Sequence, residues 1–242
     1  MYFQMNNTDI KTVADFVTDN IKTAHVFKKH GIDFCCGGGI SVKKACEKNN
    51  VDFDTLIQDL NQLENNTSSQ NNFNNWELDF LIDFIINTHH KYVEENLTLL
   101  KQYGDRVAKV HGHHYTELLE IKELIHAVSG ELTMHMKKEE LILFPFIKKL
   151  VQAKKDGTKV ETPNFGTVDN PIQMMEEEHD SAGDVFKRIS ELTKTYTTPE
   201  GACNTFKALY AKLEEFEDDL HQHVHLENNI LFPKAKFIEA NL

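Results

Sequence analysis

Apolar residues recur at spacings of three and four in four long stretches of the chain, the pattern of helices that each bury one face. The first, from about Trp76, carries Leu78, Ile82, Ile86, His89 or His90, Val93, Leu97 and Leu100. The second carries Ile121, Leu124, Val128, Glu131, His135, Glu139, Ile142 and Phe146. Asn170 followed by Pro171 predicts a cap and a proline at the first helical position for the third, with Ile172, Met175, His179, Ala182, Phe186 and Ile189. Thr198 and Pro199 repeat that start signal for the fourth, with Phe206, Leu209, Leu213, Phe216, Leu220, His223, Glu227 and Ile230. No strand-like alternation separates these stretches, so the pattern predicts an all-α chain built on a four-helix bundle. Ahead of the bundle, shorter helices are expected over residues 10–29, ending at His30 and Gly31, over 41–48, and over 54–63 after Asp52. Residues 64–75 are polar and rich in Asn, the composition of a linker between a small helical head, 5–63, and a body, 76–242.

His interrupts each apolar stripe near mid-length, and in two stripes a Glu follows one turn later. "HMKKEELILFP" at 135–145 and "HVHLENNILFP" at 223–233 share the pattern H-x-x-x-E-x-x-x-x-F-P, 88 residues apart. A His and a Glu four apart on a helix differ by about 40° of rotation and about 6 Å of rise, so both can face one point in a core. Leaving either buried and unpaired would cost several kcal/mol, so a cation is expected between them. His90 precedes His135 by 45 residues and His179 precedes His223 by 44, so each half offers one His, then a His and a Glu. Around a pseudo-twofold axis this is the ligand inventory of a dinuclear site, four imidazoles and two carboxylates with open coordination positions. Without thiolates, iron or manganese is favoured over a structural zinc. A single core His is more often a structural residue, but a duplicated set of six is not.

The stripe does not choose between His89 and His90. Glu131, one turn before His135, and Glu178, beside His179, are candidates for a supporting or entry-path role, with a solvated charge as the alternative for Glu178. His111, His113, His114, His221 and His225 read as helix-end or surface residues. Glu176-x-x-His179 fits a ferritin-like E-x-x-H motif, but the other half has no matching copy.

A formal charge of −12 argues against nucleic acid and anionic membranes as partners. No apolar run approaches the ~20 residues of a membrane span, and no basic-then-apolar secretory signal opens the chain, so a cytoplasmic protein is expected. Met1 to Gln4 read as the remnant of a cleaved tag, with Met5 the native start. The N-x-T matches at Asn65 and Asn96 carry no meaning in that compartment. Four cysteines, with no C-x-x-C, do not make a disulfide framework. Cys46 and Cys203 read as core residues. Cys35 and Cys36 lie in "GIDFCCGGGIS", where a glycine turn before a helix start suits a reactive thiol pair that exchanges electrons, nitrosyl groups or metal. The alternative is a small buried pair beside a glycine loop.

"GIDFCCGGG" ahead of "HMKKEELILFP", "EEHDSAG" and "HVHLENNILFP" strongly resembles the iron–sulfur cluster repair di-iron proteins, the repair of iron centers family. The resemblance spans head and body and implies a hemerythrin-like up-down bundle. It implies two non-haem iron ions held by His90, His135, Glu139, His179, His223 and Glu227, bridged by both carboxylates, with or without an oxo bridge. It also selects His90 over His89. It further implies a cytoplasmic homodimer acting on iron–sulfur proteins damaged by nitric oxide or peroxide, through iron donation. Nitric oxide reduction is the enzymatic alternative, and a sensor or store for oxygen, nitric oxide or iron is the third. Oxygen-carrying hemerythrins add a fifth His four residues along one helix, where this chain has Gly183; the missing ligand suits a labile, open site.

Overall fold

A computed structural model describes residues 11–64 and 73–242. Among the described residues all regular secondary structure is helical, apart from a single bridge of extended backbone pairing Thr12 with Ser41. The expected helix start at Ile10, the tag remnant and most of the polar linker lie outside the described residues.

The head comprises α1 (Val13–Asp19), α2 (Thr23–Lys29), α3 (Val42–Asn49) and α4 (Phe53–Glu64). The single helix expected over 10–29 is instead two. Thr12 and Asp15 form a reciprocal capping box that starts α1. Asn20 then turns extended, and its side-chain oxygen accepts from Lys22 N–H while its carbonyl accepts from Thr23, which ends one helix and begins the next. Asp52 caps α4 by accepting from Thr55, as its position suggested.

The body contains α5 (Leu78–Ile85), α6 (Lys91–His111), α7 (Glu117–Lys138), α8 (Phe144–Asp156), α9 (Asp169–Leu192), α10 (Asn204–Leu226) and α11 (Phe232–Ala240). Three of its four rods are pairs, α5–α6, α7–α8 and α10–α11, each joined without a break through one π-helical turn. α9 is the fourth. Both predicted start signals shift. Asn170 and Pro171 lie inside the first turn of α9, where Asn170 donates to the Phe165 carbonyl and caps nothing. Thr198 and Pro199 belong to a turn before α10, which starts at Asn204. Phe73–Asn75, assigned to the linker, form a 3-10 turn whose Phe73 ring packs against Trp76 and Phe84.

A buried polar layer divides the apolar core of the bundle. Along each rod, Val93, Leu132, Ala182 and Leu220 join one apolar cluster and Ile85, Leu143, Met175 and Ile230 join another, with the His and Glu residues between them. The first cluster continues into the head through Phe16, Phe27 and Leu56. Head and body also meet through Lys28, paired with Glu217 at 2.9 Å and with Asp218, and through Thr18, whose hydroxyl is 3.3 Å from His225 Nε2. His225 is therefore fully buried rather than a surface residue. Cys203 departs the other way: it is exposed at the start of α10, 3.2 Å from His111, whereas Cys46 is core as expected.

Candidate metal centre

The π turns place the site. Ile86–His90, Glu139–Leu143 and Glu227–Leu231 each insert one residue into a helix, and each begins or ends on a candidate ligand. π turns of this kind concentrate at functional positions. In both sequence repeats the F-P pair follows the turn directly, and Pro145 and Pro233, lacking an N–H, disrupt the regular ladder there. The inserted residue resets the apolar phase, so Leu143 and Phe144 are buried and Ile142, expected on the stripe, is 49% exposed.

His90, Glu139, His223 and Glu227 converge in one group, and His135, Glu139, His179 and Glu227 in a second. Every member is buried, and the two carboxylates belong to both groups. His90 Nε2 lies 3.1 Å from His223 Nε2, and His135 Nε2 lies 3.0 Å from His179 Nε2. Two nitrogens at about 2.1 Å from one ion and at right angles are about 3.0 Å apart, so both spacings suit neighbouring ligands on one metal. Glu227 divides its oxygens, Oε1 at 3.0 Å from His223 and Oε2 at 3.2 Å from His179, as a bridging carboxylate would. Glu139 Oε2 lies 3.3 Å from His90 and 3.4 Å from His135.

These residues fit a pair of cations better than they fit one another. Both oxygens of Glu139 and Oε2 of Glu227 are buried without a hydrogen-bond partner, a state that costs kcal/mol per group unless a ligand fills it. The site is a binuclear metal centre with an all-imidazole and carboxylate donor set.

Each imidazole turns Nε2 inward, and three present Nδ1 to an outer acceptor. His90 Nδ1 meets Glu140 at 2.7 Å, His135 Nδ1 meets Glu178 at 2.8 Å, and His179 Nδ1 meets the Asn228 oxygen at 2.9 Å. Such partners fix the tautomer and strengthen the ligand. Glu178 also pairs with Lys138.

Of the residues predicted from sequence, His90, His135, Glu139, His179, His223 and Glu227 all come together. His89 is buried but lies outside both groups, stacked on the His223 ring at 5.5 Å and bonded to Asp219. Glu178 touches His135, whereas Glu131 is exposed and stands apart. Cys35 is buried, Cys36 half-buried, and their sulfurs are 3.8 Å apart at the head–body seam. Sequence reasoning missed Glu140 and Asn228, although both occupy the same place in the two repeats, one residue after the shared Glu. It also missed Asp33, whose carboxylate accepts from the backbone N–H groups of Cys35, Cys36 and Gly37 and so shapes the thiol loop. Within that loop a Cβ on Gly38 would meet the Phe34 carbonyl at 2.4 Å. Gly38→Ala is expected to cost about 1–3 kcal/mol of head stability and to raise the alkylation rate of Cys36, read by thermal melting and thiol titration.

The metal-free cluster holds protons that a metal must displace. Burial alone would lower His90, but Glu139 and Glu227 outweigh it and raise it to about 10; Glu227 and Glu139 likewise raise His179 to about 9. Burial lowers His223 to about 3. Burial and the neighbouring Glu227 push the Glu139 carboxyl up, while His223, His179 and His90 overcome burial and hold Glu227 down. Ligation requires neutral imidazole. The apparent affinity for a divalent metal should therefore rise from neutral pH towards pH 9 with release of protons, measurable by titration in two buffers of different ionisation enthalpy; a flat profile would contradict this assignment.

Comparison with known proteins agrees with the geometry. Residues 81–235 match the hemerythrin HHE cation binding domain, and residues 9–64 match a domain of unknown function, DUF542. The chain is 39% identical over 210 residues to the iron-sulfur cluster repair protein YtfE of Yersinia pseudotuberculosis serotype IB (strain PB1/+), covering 87% of this chain and 89% of that protein. It is 38% identical over 214 residues to the protein of that name from Yersinia pestis (strain Pestoides F), covering 88% and 91%. With its hemerythrin-type bundle, its paired His and Glu groups and this likeness along nearly its whole length, the chain belongs to the YtfE family of iron–sulfur cluster repair proteins.

Proposed function

We propose that this chain restores iron–sulfur clusters damaged by nitric oxide or peroxide, and that it does so by donating iron. The observation that carries the reading is the thiolate-free donor set of four imidazoles and two shared carboxylates, in a chain whose relatives are named for cluster repair. His90 and His223 would hold one iron and His135 and His179 the other, with Glu139 and Glu227 bridging. Iron bound there supplies exchangeable coordination positions and one-electron redox chemistry. The protein's part is to fix the imidazoles through Glu140, Glu178 and Asn228 and to keep the centre buried. Glu140 and Glu178 lie between the inner residues and solvent, 39% and 35% exposed, in direct contact with His90 and His135.

In the same reading the head (5–63) and bundle (76–242) are two domains joined by 64–75, Cys35 and Cys36 take part in transfer or client docking, and the chain works as a cytoplasmic homodimer. Free thiols are stable in that compartment. No helix among the described residues is long and apolar enough to cross a membrane. Iron-loaded protein should restore activity to a nitric-oxide-damaged cluster enzyme, and His135→Ala should lose that ability. Equal restoration by metal-free protein would end the reading. Open positions on two neighbouring ions also suit nitric oxide reduction; sustained turnover with an electron donor, rather than one stoichiometric event, would favour that alternative.

A further inference from the structure

The two repeats diverge immediately after the shared carboxylate: Glu139 is followed by Glu140 and Leu141, Glu227 by Asn228 and Asn229. The divergence follows what covers each turn. Leu141 is 75% exposed, whereas Asn228 and Asn229 face the thiol loop of the head. Asn229 donates to the Cys35 carbonyl at 3.0 Å and contacts His225 Nδ1 at 3.1 Å. Asn228 accepts from His179 Nδ1 at 2.9 Å and turns its amide nitrogen to Cys36 Sγ at 3.9 Å, a long contact of the kind sulfur acceptors make. Its orientation is dictated: with Nε2 facing the metal position, His179 carries its proton on Nδ1, so the Asn228 oxygen must meet it and the N–H is left for sulfur.

We propose that Asn228 is a positioning residue that couples the Cys36 sulfur to one of the two metal positions, the one served by His135 and His179. The inference rests on the metal reading above. An amide is polarised as a unit. A stronger acceptor on its N–H makes its oxygen a stronger acceptor in turn, which makes the His179 imidazole a better donor to metal. Asn229 keeps the loop in register for this contact. His90 has the exposed Glu140 in the equivalent place, so the other metal position is not coupled to the thiols.

Mössbauer spectra of the iron-loaded full chain resolve the two irons and test the coupling without an activity assay. Cys36→Ala should change the quadrupole splitting of one iron only, and Cys36→Ser should largely restore it. Asn228→Ala should lower the affinity of one iron by about 10–100-fold and make Cys36→Ala silent in the double variant. Asn228→Asp gives His179 a stronger acceptor but lacks the N–H, so it should hold iron at least as tightly as the wild type and still make Cys36→Ala silent. A Cys36→Ala variant with both iron signals unchanged would overturn the proposal, as would one whose effect is equal with or without Asn228. Wild-type protein that binds no iron would overturn the metal reading itself.

Discussion

Glu227→Ala should leave the chain unable to hold two metal ions, whereas His90→Ala should leave one ion firmly bound. The difference comes from sharing: Glu227 and Glu139 belong to both ligand groups, and each imidazole belongs to one. Two divalent cations at a typical dinuclear separation of about 3.5 Å repel by on the order of 20 kcal/mol at an effective dielectric of about 20. Only anionic groups between them offset such a term. With Glu227 gone, one carboxylate faces both ions, and any single ion left has two imidazoles and Glu139. With His90 gone, the position of His135 and His179 keeps both carboxylates and both nitrogens. Anaerobic metal analysis after brief exposure to a chelator should show about one ion per chain for His90→Ala and almost none for Glu227→Ala, with Glu139→Ala behaving like Glu227→Ala. Equal retention by all three variants would show that the carboxylates do not bridge.

Metal loading should raise the melting temperature substantially. The metal-free pocket buries three carboxylate oxygens without partners, in the middle of the core. An ion that binds only the folded state stabilises it by RT ln(1 + [L]/Kd), about 4 kcal/mol at a thousandfold excess over Kd. For a chain of this size each kcal/mol moves the midpoint by about 2–4 °C, so a rise of about 8–16 °C is expected. Calorimetry over a range of free-metal concentrations should show the midpoint climbing with concentration. A midpoint indifferent to metal would mean that the folded pocket gains nothing from the ions.

The stripes and the repeat made much of this architecture legible. Four helices and the convergence of six His and Glu side chains follow from spacings of four along a helix and of 88 along the chain. The local departures have local causes. Asn20 splits the first helix because its side chain offers the backbone a turn, and Ile142 faces solvent because a π turn adds a residue that a 3.6-residue period does not count. The larger departures involve partners distant in sequence. Nothing near His225 announces that Thr18, 207 residues away, will cover it. Likewise Glu140 reads as one more solvated charge until the fold sets it against His90, 50 residues earlier. Periodicity identifies the face a helix buries, and the tertiary structure decides what lies against its edges. Comparing the repeats with each other would have flagged Glu140 and Asn228, since the residue after the shared Glu is polar in both.

Mössbauer spectroscopy combined with iron analysis of protein loaded anaerobically with ferrous ion tests the central claim most directly. The account predicts two irons per chain, close enough to couple magnetically once oxidised, in nitrogen and oxygen environments without sulfur. Protein that retains no iron after gel filtration, or that carries a single uncoupled ion, would contradict it.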